Sequence, residues 1–108
     1  MEDLRSILEH MPLIYGCMGL GGDWSKNPPV ADDLKTAHKA LDAALAQDIR
    51  VFDHADIYRS GKAEQVFGQV LSERPELRDH IVLQSKLGIR LNADETGSSH
   101  YNLSPDYM

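Results

Sequence analysis

Asp53, His54, Asp56 and Tyr58 fall within six residues, directly behind the apolar pair Val51-Phe52 and ahead of Gly61 and a helix-forming segment. Two carboxylates, an imidazole and a phenol are groups that give and take protons or, in the right company, hold a metal ion. A second apolar run, Ile81-Val82-Leu83-Gln84-Ser85, ends in Lys86. If both runs are parallel strands of one sheet, these polar residues meet at the carboxyl ends. That is where α/β folds keep their ligand crevices and parallel barrels their catalytic side chains. Singly, each residue has an ordinary role: Asp53 favours turns, Tyr58 can pack at a rim, and a strand-end lysine is usually a solvated charge. Chemistry requires that they be brought together.

The elements that would do this can be read in order. Leu13-Ile14-Tyr15-Gly16-Cys17-Met18 is a short apolar run with glycines at 16, 19, 21 and 22, as for a buried strand entering a permissive loop. Beyond Pro28-Pro29, Leu34, Ala37, Leu41, Ala44 and Leu45 recur at helical spacing across Asp32 to Gln47, with Asp32 and Asp33 at the favourable amino end of the dipole. A second strand covers Arg50 to Asp53. A second helix runs from Lys62 to Ser72, with Ser60 or Gly61 able to cap it, Val66, Phe67, Val70 and Leu71 as its apolar stripe, and Pro75 to stop it. The third strand, Ile81 to Ser85, is a continuous apolar run of the kind buried on both faces. The order is β-α-β-α-β, and Gly88 to Met108, rich in Asn, Asp, Gly, Ser and Thr, reads as a long surface loop.

Composition narrows the class. A length of 108 residues allows one domain at most, and 42% apolar with 26% charged residues is ordinary for a soluble globular chain. A net charge of -6 without any cluster of Lys and Arg argues against nucleic acid or an anionic membrane as partner. Cys17 is the single cysteine, so no intramolecular disulfide forms. Met1-Glu2-Asp3-Leu4-Arg5 does not begin a signal peptide, and no apolar stretch is long enough to span a bilayer; a cytoplasmic location is expected. Ser104-Pro105-Asp106 has the form of a helix opening with two residues left to run. Three parallel strands and two helices also leave both sheet edges open and one layer incomplete. The expectation is that residues 1–108 form a single partial domain, able to associate with its own copy or with a missing portion.

The residues resemble the amino-terminal portion of the aldo-keto reductases. Three passages carry the resemblance: Gly16-Cys17-Met18-Gly19-Leu20-Gly21-Gly22; Phe52-Asp53-His54-Ala55-Asp56-Ile57-Tyr58 with Gly61-Lys62-Ala63-Glu64 and Gly68 behind it; and Gln84-Ser85-Lys86. The second is the most specific. The resemblance implies an α/β fold of the (β/α)8 TIM-barrel type, of which this chain holds strands one to three. It implies an oxidoreductase that reduces small aldehydes or ketones with NADPH, or else NADH. Asp53, Tyr58 and Lys86 would be catalytic, Gly16, Cys17, Met18 and Asp53 would contact the cofactor, and Trp24 and Tyr58 would meet the substrate.

Those roles make chemical sense. Reduction of a carbonyl needs a hydride donor and an acid for the developing alkoxide. A free phenol has a pKa of about 10, and a nearby ammonium favours the phenolate and lowers that value. Tyr58 is the candidate acid, Lys86 the ammonium, and Asp53 the carboxylate that pairs with Lys86. The family's fourth catalytic residue, a histidine on strand four, lies beyond Met108, and His100 sits in a loop with no strand to aim it. The chain alone is therefore expected to be inactive and to bind NADPH weakly.

Other readings are weaker. A non-catalytic cofactor sensor of the potassium-channel β-subunit type would share the same passages. His54 and Asp56 as an H-x-D metal pair supply two ligands without a third, so no metal is expected. Cys17 as a nucleophile lacks a paired base.

Overall fold

The computed structural model describes residues 3–9, 13–90 and 100–107. Three strands, β1 (Tyr15–Gly16), β2 (Val51–Asp53) and β3 (Val82–Gln84), form a parallel sheet in that order. Three helices, α1 (Leu4–Glu9), α2 (Ala31–Ala46) and α3 (Lys62–Glu73), accompany it. The expected β-α-β-α-β order is present. The register sets Phe52 between Tyr15 and Leu83, and Asp53 between Gly16 and Gln84. Since strand residues alternate between faces, the first trio shares one face of the sheet and the second trio the other.

Phe52's face is the core. Ala37, Leu41 and Ala44 of α2 and Val66, Phe67 and Val70 of α3 are buried with it in one cluster, joined by Cys17, Leu20, Leu77 and Ile81. The Phe52 ring lies 5.7 Å from that of Tyr15 and 5.4 Å from that of Phe67, within the range of favourable aromatic contact. Both helices thus cover the same side of the sheet. The stripes foreseen on α2 and α3 are the residues that do the packing, with Leu34, Leu45 and Leu71 at their half-buried margins. Each buried Leu or Phe contributes roughly 1.5–3 kcal/mol over its exposed state.

Local chemistry fixes the helix limits. Asp33 reaches back to accept the Val30 backbone N–H at 2.7 Å, the acidic half of a capping box. At the other end Asp48 takes a left-handed φ of 59°, and the N–H groups of Asp48 and Ile49 return to the carbonyls of Leu45 and Ala44, both at 2.9 Å. This is a Schellman stop made without glycine. Gly21, with φ of 94°, lies so close to the start of α3 that a Cβ there would sit 2.6 Å from the Lys62 carbonyl carbon. Beside it the buried Lys62 ammonium meets Asp23 at 2.7 Å and, as the largest cause, draws that carboxyl down to about 2.

The structure departs from the expectations in four places. The first apolar run is not a buried strand throughout: only Tyr15–Gly16 is strand, Cys17–Gly19 forms a 3-10 turn, and Leu13, Ile14 and Met18 are exposed. Helix α1 was not foreseen. The segment read as a loop after β3 contains an antiparallel pair, β4 (Ile89–Arg90) and β5 (His100–Tyr101), so His100 lies on a strand after all. Residues 91–99 and 108 of that segment lie outside the described residues, and Ser104 to Tyr107 closes as a turn through a 3.2 Å bond from the Tyr107 N–H to the Ser104 carbonyl. β3 is not buried on both faces: among the described residues it pairs only with β2, Val82 and Leu83 are half-buried, and Gln84 is exposed. Its apolar run reflects one covered face. Among the described residues no helix is long and apolar enough to cross a membrane.

Directly behind β2, His54 is 4% exposed, its ring edge-on to Phe67 at 4.7 Å. Neither ring nitrogen has a hydrogen-bond partner among the described residues, and burial is the main cause holding its pKa below the ordinary 6.5. Two outcomes follow. Gly21→Ala forces a side chain into backbone at a left-handed φ and should lower the denaturation midpoint by the equivalent of about 2–4 kcal/mol in urea unfolding. A histidine with a depressed folded pKa is protonated more readily in the unfolded chain. Its contribution is intact above pH 6.5 and lost as the pH falls through the folded value. His54→Leu should therefore gain stability relative to the parent between pH 7.5 and pH 5.5, and parallel pH dependences of the two proteins would refute this.

Candidate active site

The β2–β3 ladder continues beyond the strands. The His54 N–H bonds the Gln84 carbonyl at 2.8 Å, and the Asp56 N–H bonds the Lys86 carbonyl at 3.1 Å. These two bonds hold the carboxyl ends together and place Asp53 next to Lys86. The chain then enters the turn Tyr58–Gly61, where Arg59, Ser60 and Gly61 all have positive φ, at 52°, 57° and 90°. Left-handed backbone costs a non-glycine residue on the order of 1 kcal/mol or more and persists only when other contacts impose it. Here the loop after β1 imposes it. Arg59 Nε donates to the Met18 carbonyl at 2.9 Å, Ser60 Oγ donates to the Trp24 carbonyl at 2.8 Å, and the Arg59 guanidinium lies 5.3 Å from the centre of the Trp24 ring.

Asp53, Tyr58 and Lys86 come together. Lys86 Nζ donates to Asp53 Oδ2 and to the His54 carbonyl, each at 2.9 Å, and lies 4.7 Å from the centre of the Tyr58 ring. The neighbouring Tyr58 side chain is the largest cause holding the Lys86 pKa above the ordinary lysine value, and the bond to Asp53 is the next. Asp53 is held below the ordinary carboxyl range, chiefly by Gln84, whose Nε2 donates to Oδ1 at 2.9 Å, and then by Lys86. A charged ammonium thus stands between a carboxylate and a phenol at a rim reached by solvent.

The other candidates spread around this trio. Gly16 pairs with Asp53, and nothing lies within 4 Å of the position its side chain would occupy. Met18 is half exposed on the same loop. Cys17 is fully buried, its thiol pushed up to about 12 by burial and, secondarily, by Asp53. Its side chain belongs to the core, which leaves only its backbone to meet a ligand. Trp24 stacks on Arg59 across the turn from Tyr58. An open groove of about 390 Å³ adjoins the trio, lined by Tyr58 and Lys86 with Ile57, Leu87, Ile89 and Tyr101. Trp24 is not part of that lining. The groove has the size of a small-molecule site.

His54 and Asp56 have separate partners: His54 lies against Phe67 and Asp56 Oδ2 accepts the Tyr107 hydroxyl at 2.9 Å. Among the described residues no three His, Cys, Asp or Glu side chains gather as a metal site. Sequence reasoning quoted Gln84 without giving it a role and passed over Arg59. Gln84 was legible, since it lies two residues before Lys86 on the same face. Arg59 had no local signal, because its partners are about 40 residues away.

The chain is 33% identical over 110 aligned positions to a 6-dehydroglucose reductase of Agrobacterium fabrum, a match covering 97% of this chain and 34% of that protein. It is 43% identical over 71 positions to YcsN, an uncharacterized oxidoreductase of Bacillus subtilis, covering 63% of this chain and 24% of the relative. The chain therefore spans about a third or less of the length of these curated relatives. The sequence model of the Aldo/keto reductase family matches residues 12–108, through every element that carries the Asp53, Tyr58 and Lys86 cluster, and the chain belongs to that family.

Proposed function

We propose that residues 1–108 are the amino-terminal part of a (β/α)8 barrel whose complete form reduces small aldehydes or ketones with NADPH, or alternatively NADH. The observation that carries this reading is the Lys86 ammonium bonded to Asp53 at 2.9 Å and lying 4.7 Å from the Tyr58 ring. The barrel is supported by three parallel strands in sequential order with α2 and α3 on one face. That arrangement leaves the opposite face, with Gly16, Asp53 and Gln84, to line an interior.

A dihydronicotinamide fits the residues present. The space at Gly16, the exposed Met18 and the remaining acceptor capacity of the Asp53 carboxylate suit a ribose and an uncharged ring better than a phosphate, which would want cations there. When bound, the cofactor supplies the hydride that the carbonyl carbon takes up. This chain's part is the proton. Tyr58 donates its O–H proton to the substrate oxygen as that oxygen gains charge. Lys86, fixed in its charged form, stabilises the phenolate left behind, and Asp53 keeps the ammonium at the phenol. The groove beside Tyr58 is lined mainly by apolar side chains, which favours a small, weakly polar carbonyl substrate.

The test is carbonyl-dependent oxidation of NADPH by the full-length protein that contains this segment. Tyr58→Phe should lower kcat by about 100-fold or more, as expected for loss of a positioned general acid, while cofactor affinity changes little. Undiminished turnover in Tyr58→Phe would remove the tyrosine from the mechanism. NADPH binding without turnover on a broad carbonyl panel would favour a non-catalytic cofactor sensor.

A further inference from the structure

We propose that Gln84 is a positioning residue: its side-chain amide fixes the Asp53 carboxylate so that one oxygen is committed to Gln84 and the other is presented to Lys86. This rests on the reductase reading given above and adds to it a residue to which no role has been assigned. The register places Gln84 directly beside Asp53 on the adjacent strand, on the face that also carries Lys86. Gln84 Nε2 donates to Oδ1 at 2.9 Å and Lys86 Nζ donates to Oδ2 at 2.9 Å. The orientation of the amide is dictated by its partner, because an ionised carboxylate can only accept.

The type of donor matters. An arginine or lysine in this place would share the negative charge of Asp53 and weaken its hold on Lys86. An amide orients the carboxylate without carrying charge, so Lys86 remains its only cationic partner among the described residues. Without Gln84, Asp53 can rotate to offer either oxygen to the ammonium or to water, and Lys86 loses the fixed point that holds it at Tyr58. The ionisable groups that act on Asp53 are Lys86 from the end of β3 on its own face and, from the core side, His54 next to it in sequence and the Cys17 thiol from the turn after β1. Gln84 is the largest single influence favouring the ionised carboxylate.

The experiment compares Gln84→Met and Gln84→Glu with the parent in the full-length protein, reading kcat, KM and the pH dependence of carbonyl reduction. Gln84→Met keeps the shape and removes the donor. It should lower kcat about tenfold, in keeping with the loss of one hydrogen bond to a charged group, and leave KM for the cofactor unchanged. The acidic limb of the pH profile should move to higher pH, because Asp53 then protonates more readily. Gln84→Glu should fall further, since it sets a second carboxylate against Asp53. A 13C titration of Asp53 in Gln84→Met provides a readout independent of turnover: a raised midpoint supports the proposal, and an unmoved midpoint overturns it. If Gln84→Met matches the parent in kcat and pH profile while Tyr58→Phe is inactive, the positioning role fails and the reductase reading stands. If the full-length parent oxidises no NADPH with any carbonyl of a broad panel, the reductase reading fails and the role of Gln84 in turnover fails with it.

Discussion

The bond between Lys86 and Asp53 ties together, by side chains, two strands whose backbones already pair, and the rest of the rim is arranged around it. Its geometry depends on the ladder running past the formal ends of β2 and β3 as far as Asp56 and Lys86, which fixes the spacing of the two side chains. Lysine is a flexible cation, and at half exposure it would ordinarily sample many rotamers. Here it is bonded to a carboxylate and a carbonyl and lies beside a phenol ring, so the ammonium is the junction of the site rather than a solvated charge. Exposure limits what such an ion pair contributes to stability, so its value lies in position.

The sheet separates stability from chemistry by alternation. Phe52 and His54 turn toward the helices and are buried; Asp53, between them, turns away. A shift of register by one residue would send the carboxylate into the core and the phenylalanine to the rim, so hydrophobic packing on one face enforces the polar geometry on the other. His54 shows how strictly this works, since an imidazole occupies a core position where its ring nitrogens have no hydrogen-bond partner among the described residues.

Much of this was legible in the residues. The apolar periodicity of α2 and α3, the short strands and the polar residues at their ends follow from local patterns that the tertiary structure respects. Asp53, Tyr58 and Lys86 were recognisable as candidates because strand ends in parallel sheets converge on one rim. What escaped notice was non-local. Arg59 and Ser60 carry no sign that they turn left-handed, because the contacts that compel it come from Met18 and Trp24. The pairing of Ile89–Arg90 with His100–Tyr101 was hidden in a polar stretch whose strands are two residues long. The identity of the Schellman residue was obscured because aspartate stands where glycine is usual.

The turn after Tyr58 makes two variable-looking parts of the molecule into one. The segment around Trp24 supplies the carbonyls and the ring that keep Arg59 and Ser60 left-handed, and that backbone sets where the phenol stands. Evolution or engineering could not exchange the Met18-to-Trp24 loop freely to admit a new ligand, because the same exchange would release the tyrosine. Such grafts would have to travel as a matched pair, loop and turn together, and compatible pairs rather than individual residues are the unit in which this rim can diversify.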